Sequence, residues 1–201
     1  MKQRDKTERT VGKIVEAAMA EFGENGYARG TMNNICKAGI NKGLVYHNFA
    51  GKDALYLTCV QQSCKKLTDY IENHDGTSGM QQYMAARMDF VDVFPREAHI
   101  FFEALLYPPS HLANEIAEAL KDFHLLNERI YKATLDKLIL RDGVSMEDAL
   151  SYFHLMQTML NGYFSSPAFQ NAVWNEKIKK HESAIPKLLH CIIYGIAKGE
   201  K

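Results

Sequence analysis

Cysteine is scarce in this sequence, and no stretch is hydrophobic enough to cross a membrane. The four cysteines, at positions 36, 59, 64 and 191, have neither C-x-x-C spacing nor the density of a small disulfide-bonded scaffold, so we expect reduced, mostly buried thiols. Every apolar run is far shorter than the roughly 18 to 20 residues of a spanning helix. No apolar segment follows the polar residues 1–10 as a secretory signal would. These absences predict a cytoplasmic protein without membrane spans.

The sequence also lacks net charge, since 24 basic and 24 acidic side chains cancel. The balance is uneven, because residues 1–60 hold nine basic and six acidic side chains, which leaves the remainder at minus three. A positive first third is a weak indication of nucleic-acid binding at that end. With 201 residues and 46% apolar types, the chain can form one small and one medium domain.

Apolar residues recur three and four positions apart along nearly the whole chain, and sustained period-2 alternation is missing. This pattern predicts an almost entirely helical protein. The first helix is predicted over about residues 7–25. A short second helix begins after Thr31, a turn at Gly39 follows, and Asn41 caps a third helix over about residues 42–49. Two short helices joined by a tight glycine turn are a helix-turn-helix pattern.

The remainder of the chain is also predicted to be helical. Helices are expected over about residues 52–73, 80–94, 95–107, 110–140 and 145–164, in a shorter stretch containing Trp174, and in a final helix after it. The helix over 110–140, of roughly thirty residues, is closed by an Asp-Gly turn. The predicted division is a helix-turn-helix domain over residues 1–52 and a helical domain over residues 53–201.

Polar and basic side chains of the helix-turn-helix segment stand where such motifs meet DNA. The second helix of the pair lies in the major groove, while the helix ends offer amides, hydroxyls and lysines to phosphates. Val45 and Phe49 are expected to point inward. The residues predicted to contact DNA are Thr31, Asn41, Lys42, Gly43, Leu44, Tyr46, His47 and Lys52. The basic arm over residues 1–10 either reaches a groove or phosphates as well, or frays in solution.

The residues around this motif resemble a known family. The run FGENGYARGTMNNI (22–35), followed by AGINKGLVYHNFAGKDAL (38–55), is similar to the DNA-binding domain of the tetracycline-repressor (TetR) family of bacterial regulators. The resemblance implies an all-α fold whose first helices bind operator DNA and whose C-terminal helical domain holds a small effector and forms the dimer. Lys37 alone separates Ile35-Cys36 from the turn, where the family usually has two residues, so the second helix is expected to be one residue shorter.

Methionines and aromatic residues are frequent in the second domain. Such residues line deformable ligand cavities, and they also fill ordinary cores. Composition indicates an apolar, aromatic effector, with His124 as a polar handle. The residues predicted to line the effector pocket are Tyr83, Met84, Met88, Phe102, Tyr107, Phe123, His124, Met156, Met159 and Tyr163.

Two histidines have a glutamate one helical turn further on, His99 with Glu103 and His111 with Glu115. Such pairs either chelate a metal or form surface ion pairs. No third ligand is identifiable by spacing, so neither a metal nor a cofactor is predicted. No nucleophile with its base and no phosphate loop can be assembled from spacing, so we do not expect an enzyme.

The last helices carry more apolar surface than one thin layer needs. The residues predicted to form a dimer interface are Phe153, Leu160, Phe164, Leu188, Leu189, Ile192, Ile193 and Ile196; the alternative is an intramolecular core. Two recognition helices about 34 Å apart would read a palindrome. The sequence thus predicts a homodimeric repressor, released from double-stranded operator DNA by a small molecule, with a ligand-independent architectural DNA binder or a small helical enzyme as alternatives.

Overall fold

The computed structural model describes the backbone of residues 2–169 and 171–200 and the side chains of residues 7–169 and 171–199. The α-helices there are α1 (Lys2–Arg29), α2 (Met32–Cys36), α3 (Lys42–Asn48), α4 (Lys52–Asn73), α5 (Met80–Val93), α6 (Pro95–Leu106), α7 (Ala113–Ala119), α8 (Lys121–Leu135), α9 (Met146–Ser165) and α10 (Trp174–Ile196). Two 3₁₀ turns (Ser110–Leu112 and Pro167–Phe169) and two short strands, β1 (Leu138–Leu140) and β2 (Ala197–Glu200), complete this part of the chain. The all-α prediction is confirmed. None of the described helices is long and apolar enough to span a membrane.

The helices form two compact units, each built from two segments of the chain. Unit 1 comprises the residues up to Lys66 together with Phe94–Leu120. Unit 2 comprises Leu67–Val93 together with the residues from Lys121 onward. The predicted limits of the functional domains, 1–52 and 53–201, stay a prediction.

The core of unit 1 lies where α1 packs against α6. Ile14 and Phe22 of α1 are fully buried, and the Phe22 ring meets Tyr56 edge-on at 5.2 Å between centroids. Gly23 allows the two helices to approach closely, because a Cβ there would lie 2.6 Å from Cβ of Arg96. The N-terminal helices are thereby fixed to a helix that lies far along the chain.

The core of unit 2 is formed by α5, α8, α9 and α10. Tyr131 of α8 and Phe153 of α9 stack with ring centroids 4.1 Å apart and ring planes 9° apart. Leu126, Ile178 and Leu189 add buried aliphatic side chains from α8 and α10. The apolar sides of these helices are therefore largely buried in the core of unit 2.

The prediction of a single helix over residues 110–140 is wrong. The chain forms a 3₁₀ turn, α7, α8 and β1 there, and Leu120 (φ −92°, ψ −1°) ends α7. β1 pairs antiparallel with β2, with Leu138 opposite Glu200 and Ile139 opposite Gly199. The backbone hydrogen bonds of β1 come from a distant segment, so local periodicity gave no indication of the strand.

Two other helix limits differ from the prediction. α1 continues to Arg29 instead of ending near residue 25, although Gly26 (φ 69°, ψ 177°) interrupts its helical backbone. The stretch containing Trp174 and the final helix are one helix, α10, with Pro186 inside it. Pro186 is exposed, and it removes one backbone N–H donor from the helix.

Candidate nucleic-acid interface

Two capped helices and a left-handed glycine form the helix-turn-helix. Oγ1 of Thr31 accepts the backbone N–H of Asn34 at 3.1 Å where α2 begins, and Oδ1 of Asn41 accepts the backbone N–H of Gly43 at 2.8 Å where α3 begins. Gly39 has a φ of +80°, a conformation that other residues adopt only with strain. Both predicted N-caps and the glycine turn are therefore confirmed.

The two sides of α3 differ sharply in exposure. Val45 is completely buried and holds the helix on unit 1, as predicted, while Phe49 is half-buried. Leu44 and Tyr46 expose 46% and 50% of their surface. Lys42, which begins the helix, is exposed beside them. A helix with one fixed side and large, solvent-exposed side chains on the other has the form of a helix that enters a major groove.

The remaining predicted contacts lie at helix starts or on this same exposed side. Thr31, Asn41, Gly43 and His47 are exposed, and Lys52 is half-buried at the start of α4. Positively charged and N–H-donating groups are thus present at the beginnings of α2, α3 and α4, where phosphates are commonly bound. Which of these groups touch DNA stays a prediction. Of the predicted basic arm, the side chains of residues 1–6 lie outside the described part of the chain.

Asparagines of α2 support these groups, and the sequence analysis missed them. Nζ of Lys42 donates to Oδ1 of Asn33 at 3.3 Å, so the lysine is held between the two helices. Oε1 of Glu21 accepts the backbone N–H of Thr31 at 3.0 Å and the side-chain amide of Asn34 at 2.9 Å. The only signal in the sequence was the position of the asparagines directly after a capping threonine.

Comparison with known proteins identifies the family. The family model of bacterial regulatory proteins of the tetR family matches residues 14–59, and the model of the tetracyclin repressor-like C-terminal domain matches residues 74–199. The chain belongs to the tetR family. It is a DNA-binding transcriptional regulator, and the first of the two models covers the helix-turn-helix. A search among curated proteins finds no match.

Several solved tetR-family structures share the fold. The fatty acid degradation regulator FadR from Bacillus halodurans is 16% identical with a TM-score of 0.62, over 89% of this chain and 97% of that one. FadR from Bacillus subtilis, solved in complex with stearoyl-CoA, is 16% identical with a TM-score of 0.60 over the same shares. A TetR family regulator from Chloroflexus aurantiacus is 17% identical with a TM-score of 0.57, over 95% of this chain and 94% of that one.

An open apolar groove of about 880 Å³ runs between α9 and α10 in unit 2 of this tetR-family protein. The lining includes residues predicted for the dimer interface (Leu160, Phe164, Leu188, Ile192 and Ile196) and residues predicted for the effector pocket (Met156, Met159 and Tyr163). Met159 and Tyr163 are 66% and 59% exposed. Phe153 and Leu189 are buried in the core of unit 2 instead, and Ile193 is half-buried. The groove therefore joins residues that the sequence analysis had assigned to two different sites.

The other predicted effector residues lie apart from this groove. Phe102 is buried and Tyr107 half-buried in unit 1. In unit 2, Tyr83 and Phe123 are buried, Met84 and Met88 are half-buried, and His124 is exposed. The ten residues are thus not brought into one cavity, and their role in effector binding stays a prediction.

A buried polar cluster lies beside Tyr83 and Phe123, and no pattern in the sequence predicts it. Nε and Nη2 of Arg87 each donate to a carboxylate oxygen of Glu182 at 2.7 Å, and both side chains are almost completely buried. Burial alone raises the pKa of the Glu182 carboxyl, but the Arg87 guanidinium outweighs this and lowers the pKa to about 2. The guanidinium also lies over both aromatic rings, 5.3 Å and 5.0 Å from their centroids. The cluster is therefore charged inside and lined by aromatic faces.

Among the described residues, two buried polar side-chain atoms have no hydrogen-bond partner. They are Nδ2 of Asn127 and the hydroxyl of Tyr131, both buried and one turn apart on α8. Oδ1 of the same Asn127 faces Nη1 of Arg87 at 3.5 Å. Buried donors without an acceptor are energetically costly.

The two predicted His–Glu pairs have other partners in unit 1. Nδ1 of His99 lies 2.6 Å from the carbonyl of Gly23, and burial lowers the pKa of His99 to about 4. Glu103 binds the backbone of Tyr27. His111 lies beside Asp53 instead of Glu115. Within the described residues, no group of three His, Cys, Asp or Glu side chains is arranged to hold a metal ion.

Proposed function

We propose that the protein is a homodimeric repressor that reads a palindromic operator with α3 and leaves it when a small molecule binds in unit 2. The observation that carries this proposal is the exposed side of α3. Leu44 and Tyr46 stand in solvent beside Lys42, whereas Val45 fixes the opposite side. One such helix spans only a few base pairs, so sequence-specific binding requires two of them on one duplex.

A second copy of the chain would cover the α9–α10 groove. Two antiparallel helix pairs of this kind form a four-helix bundle across a twofold axis. Met159 and Tyr163 would pass from water into that bundle, and burial of their exposed apolar surface favours association. The groove thus supports the predicted homodimer, with α9 and α10 at the interface.

The effector is proposed to be a molecule with an apolar body and a hydrogen-bond acceptor. Tyr83 and Phe123 offer ring faces, while Arg87, Asn127 and Tyr131 offer buried donors. Binding releases operator only if the effector binds the DNA-free state more tightly than the DNA-bound state. We propose that α4, which contributes residues to both units, transmits this preference to α3. The protein would act in the cytoplasm, where bacterial DNA lies, and would release its effector unchanged.

Selection of bound sequences from a random duplex pool, at two salt concentrations, tests this function. A dimeric repressor should enrich a palindrome whose half-sites are about one helical turn apart. Lys42→Ala should reduce the enrichment, and Lys132→Ala, which removes the same charge from an exposed position on α8, should not. Salt-sensitive binding without a consensus would contradict the proposal and favour an architectural DNA binder.

A further inference from the structure

The end of α1 is held by a carboxylate from α6. Gly26 breaks the helical backbone, so the N–H of Tyr27 has lost the helical geometry that would pair it. Oε1 and Oε2 of Glu103 accept this N–H at 3.0 and 2.8 Å, and Oε2 also accepts the hydroxyl of Tyr56 at 3.1 Å. A Cβ on residue 26 would lie 2.4 Å from Oε1 of Glu103. The glycine thus leaves the space in which the carboxylate binds.

The side chain of Tyr27 extends this contact to the start of α4. Its hydroxyl donates to Oδ1 of Asp53 at 2.7 Å, and its ring centroid lies 4.3 Å from Nζ of Lys52. Burial and the hydrogen bond to Asp53 raise the pKa of Tyr27 to about 12, so the hydroxyl keeps its proton at neutral pH. One tyrosine therefore contacts both the lysine predicted to meet a phosphate and the aspartate next to it.

His111 of the 3₁₀ turn after α6 closes the cluster. Its Nε2 lies 3.2 Å from the hydroxyl of Tyr27 and 3.2 Å from Oδ2 of Asp53. Asp53 thus has a partner for each carboxylate oxygen. An acidic group close to DNA repels phosphates, and these two partners hold it in a defined orientation beside Lys52.

We propose that Glu103 and His111 are positioning residues for DNA binding, which act through Tyr27 to hold Lys52 and Asp53 in the orientation that lets Lys52 reach a phosphate. All of these side chains belong to unit 1. The inference rests on the proposed DNA contact of Lys52. It adds residues far outside the helix-turn-helix segment to the DNA-binding apparatus.

Binding measurements on full-length variants test the inference. Tyr27→Phe removes the hydroxyl and keeps the ring. We expect it to weaken binding of the dimer about a hundredfold, because each chain loses one charge-assisted contact and each loss is about tenfold, both on the duplex that the wild type selects and on an unrelated duplex. The slope of log affinity against log salt should fall by about 2 per dimer, one phosphate contact per chain. In a Lys52→Ala background, Tyr27→Phe should have no further effect.

A cluster that only stabilises unit 1 would give another result. Its loss would lower the free energy of unfolding and leave the salt slope unchanged. The loss of affinity would multiply with the loss caused by Lys52→Ala. That outcome would overturn the inference. Glu103→Gln should reproduce Tyr27→Phe, whereas Glu115→Gln, the same charge change at an exposed site on α7, should not. If Glu103→Gln fails to fold, the affinities and salt slopes of His111→Gln and Tyr27→Phe decide between the two readings. If the wild-type protein selects no consensus sequence, the proposed function is contradicted. Binding of the variants to the unrelated duplex still tests this inference.

Discussion

Neutralising Glu182 should cost the protein a large part of its stability. Glu182→Gln keeps the shape of the side chain but leaves the Arg87 guanidinium buried without a counter-charge. Both groups are only 3% exposed, and two 2.7 Å hydrogen bonds join them. Breaking such a buried pair costs about 3 to 5 kcal/mol. Replacing both partners, as in Arg87→Met with Glu182→Leu, removes the unpaired charge and should cost much less than the single change.

An exposed ion pair between the same two helices provides the control. Nζ of Lys179 on α10 lies 2.6 Å from Oδ1 of Asp92 on α5, with about half of each side chain in solvent. Asp92→Asn should change the free energy of unfolding by less than about 1 kcal/mol. Urea denaturation at one fixed protein concentration measures all variants. If Glu182→Gln and Asp92→Asn lowered the free energy of unfolding equally, burial would not determine the contribution of an ion pair, and the reasoning would be refuted.

Three further predictions concern DNA binding, pH and assembly. Lys42→Ala and Tyr46→Ala should each weaken binding to the selected duplex at least several-fold in a mobility-shift titration, with the mass of the dimer unchanged. Because His99 is neutral in the folded state and takes up a proton when unfolded, the free energy of unfolding should fall by up to about 3 kcal/mol from pH 6.5 to pH 4, and less so in His99→Asn. Leu188→Glu, in the α9–α10 groove, should give monomers in sedimentation experiments; a dimer of unchanged stability would exclude this face.

The helix-turn-helix was predictable because its determinants are local. Thr31 and Asn41 cap the helices that follow them directly, and Gly39 supplies the left-handed turn between them. Val45 was identified as inward-facing from its spacing within one short helix. Each of these features depends on neighbours a few residues away, which a single sequence displays.

The strands and the polar clusters were not predictable, because their partners lie far apart in the chain. β1 exists only where β2 pairs with it. Glu103 and His111 were noticed for one-turn pairs on their own helices, yet their partners are on α1 and α4. Arg87 and Glu182 drew no attention, since a charged residue in a helix is usually a surface residue. Local spacing identifies candidate side chains but not the tertiary contacts that give them a role.

In the proposed function, two α3 helices of one dimer bind one operator together. The most direct test is the affinity of the protein for its selected palindrome with and without about five extra base pairs between the half-sites. Half a helical turn places the two half-sites on opposite sides of the duplex. We predict that the insertion reduces the affinity to that of a single half-site. An affinity that does not depend on the spacing would contradict the account.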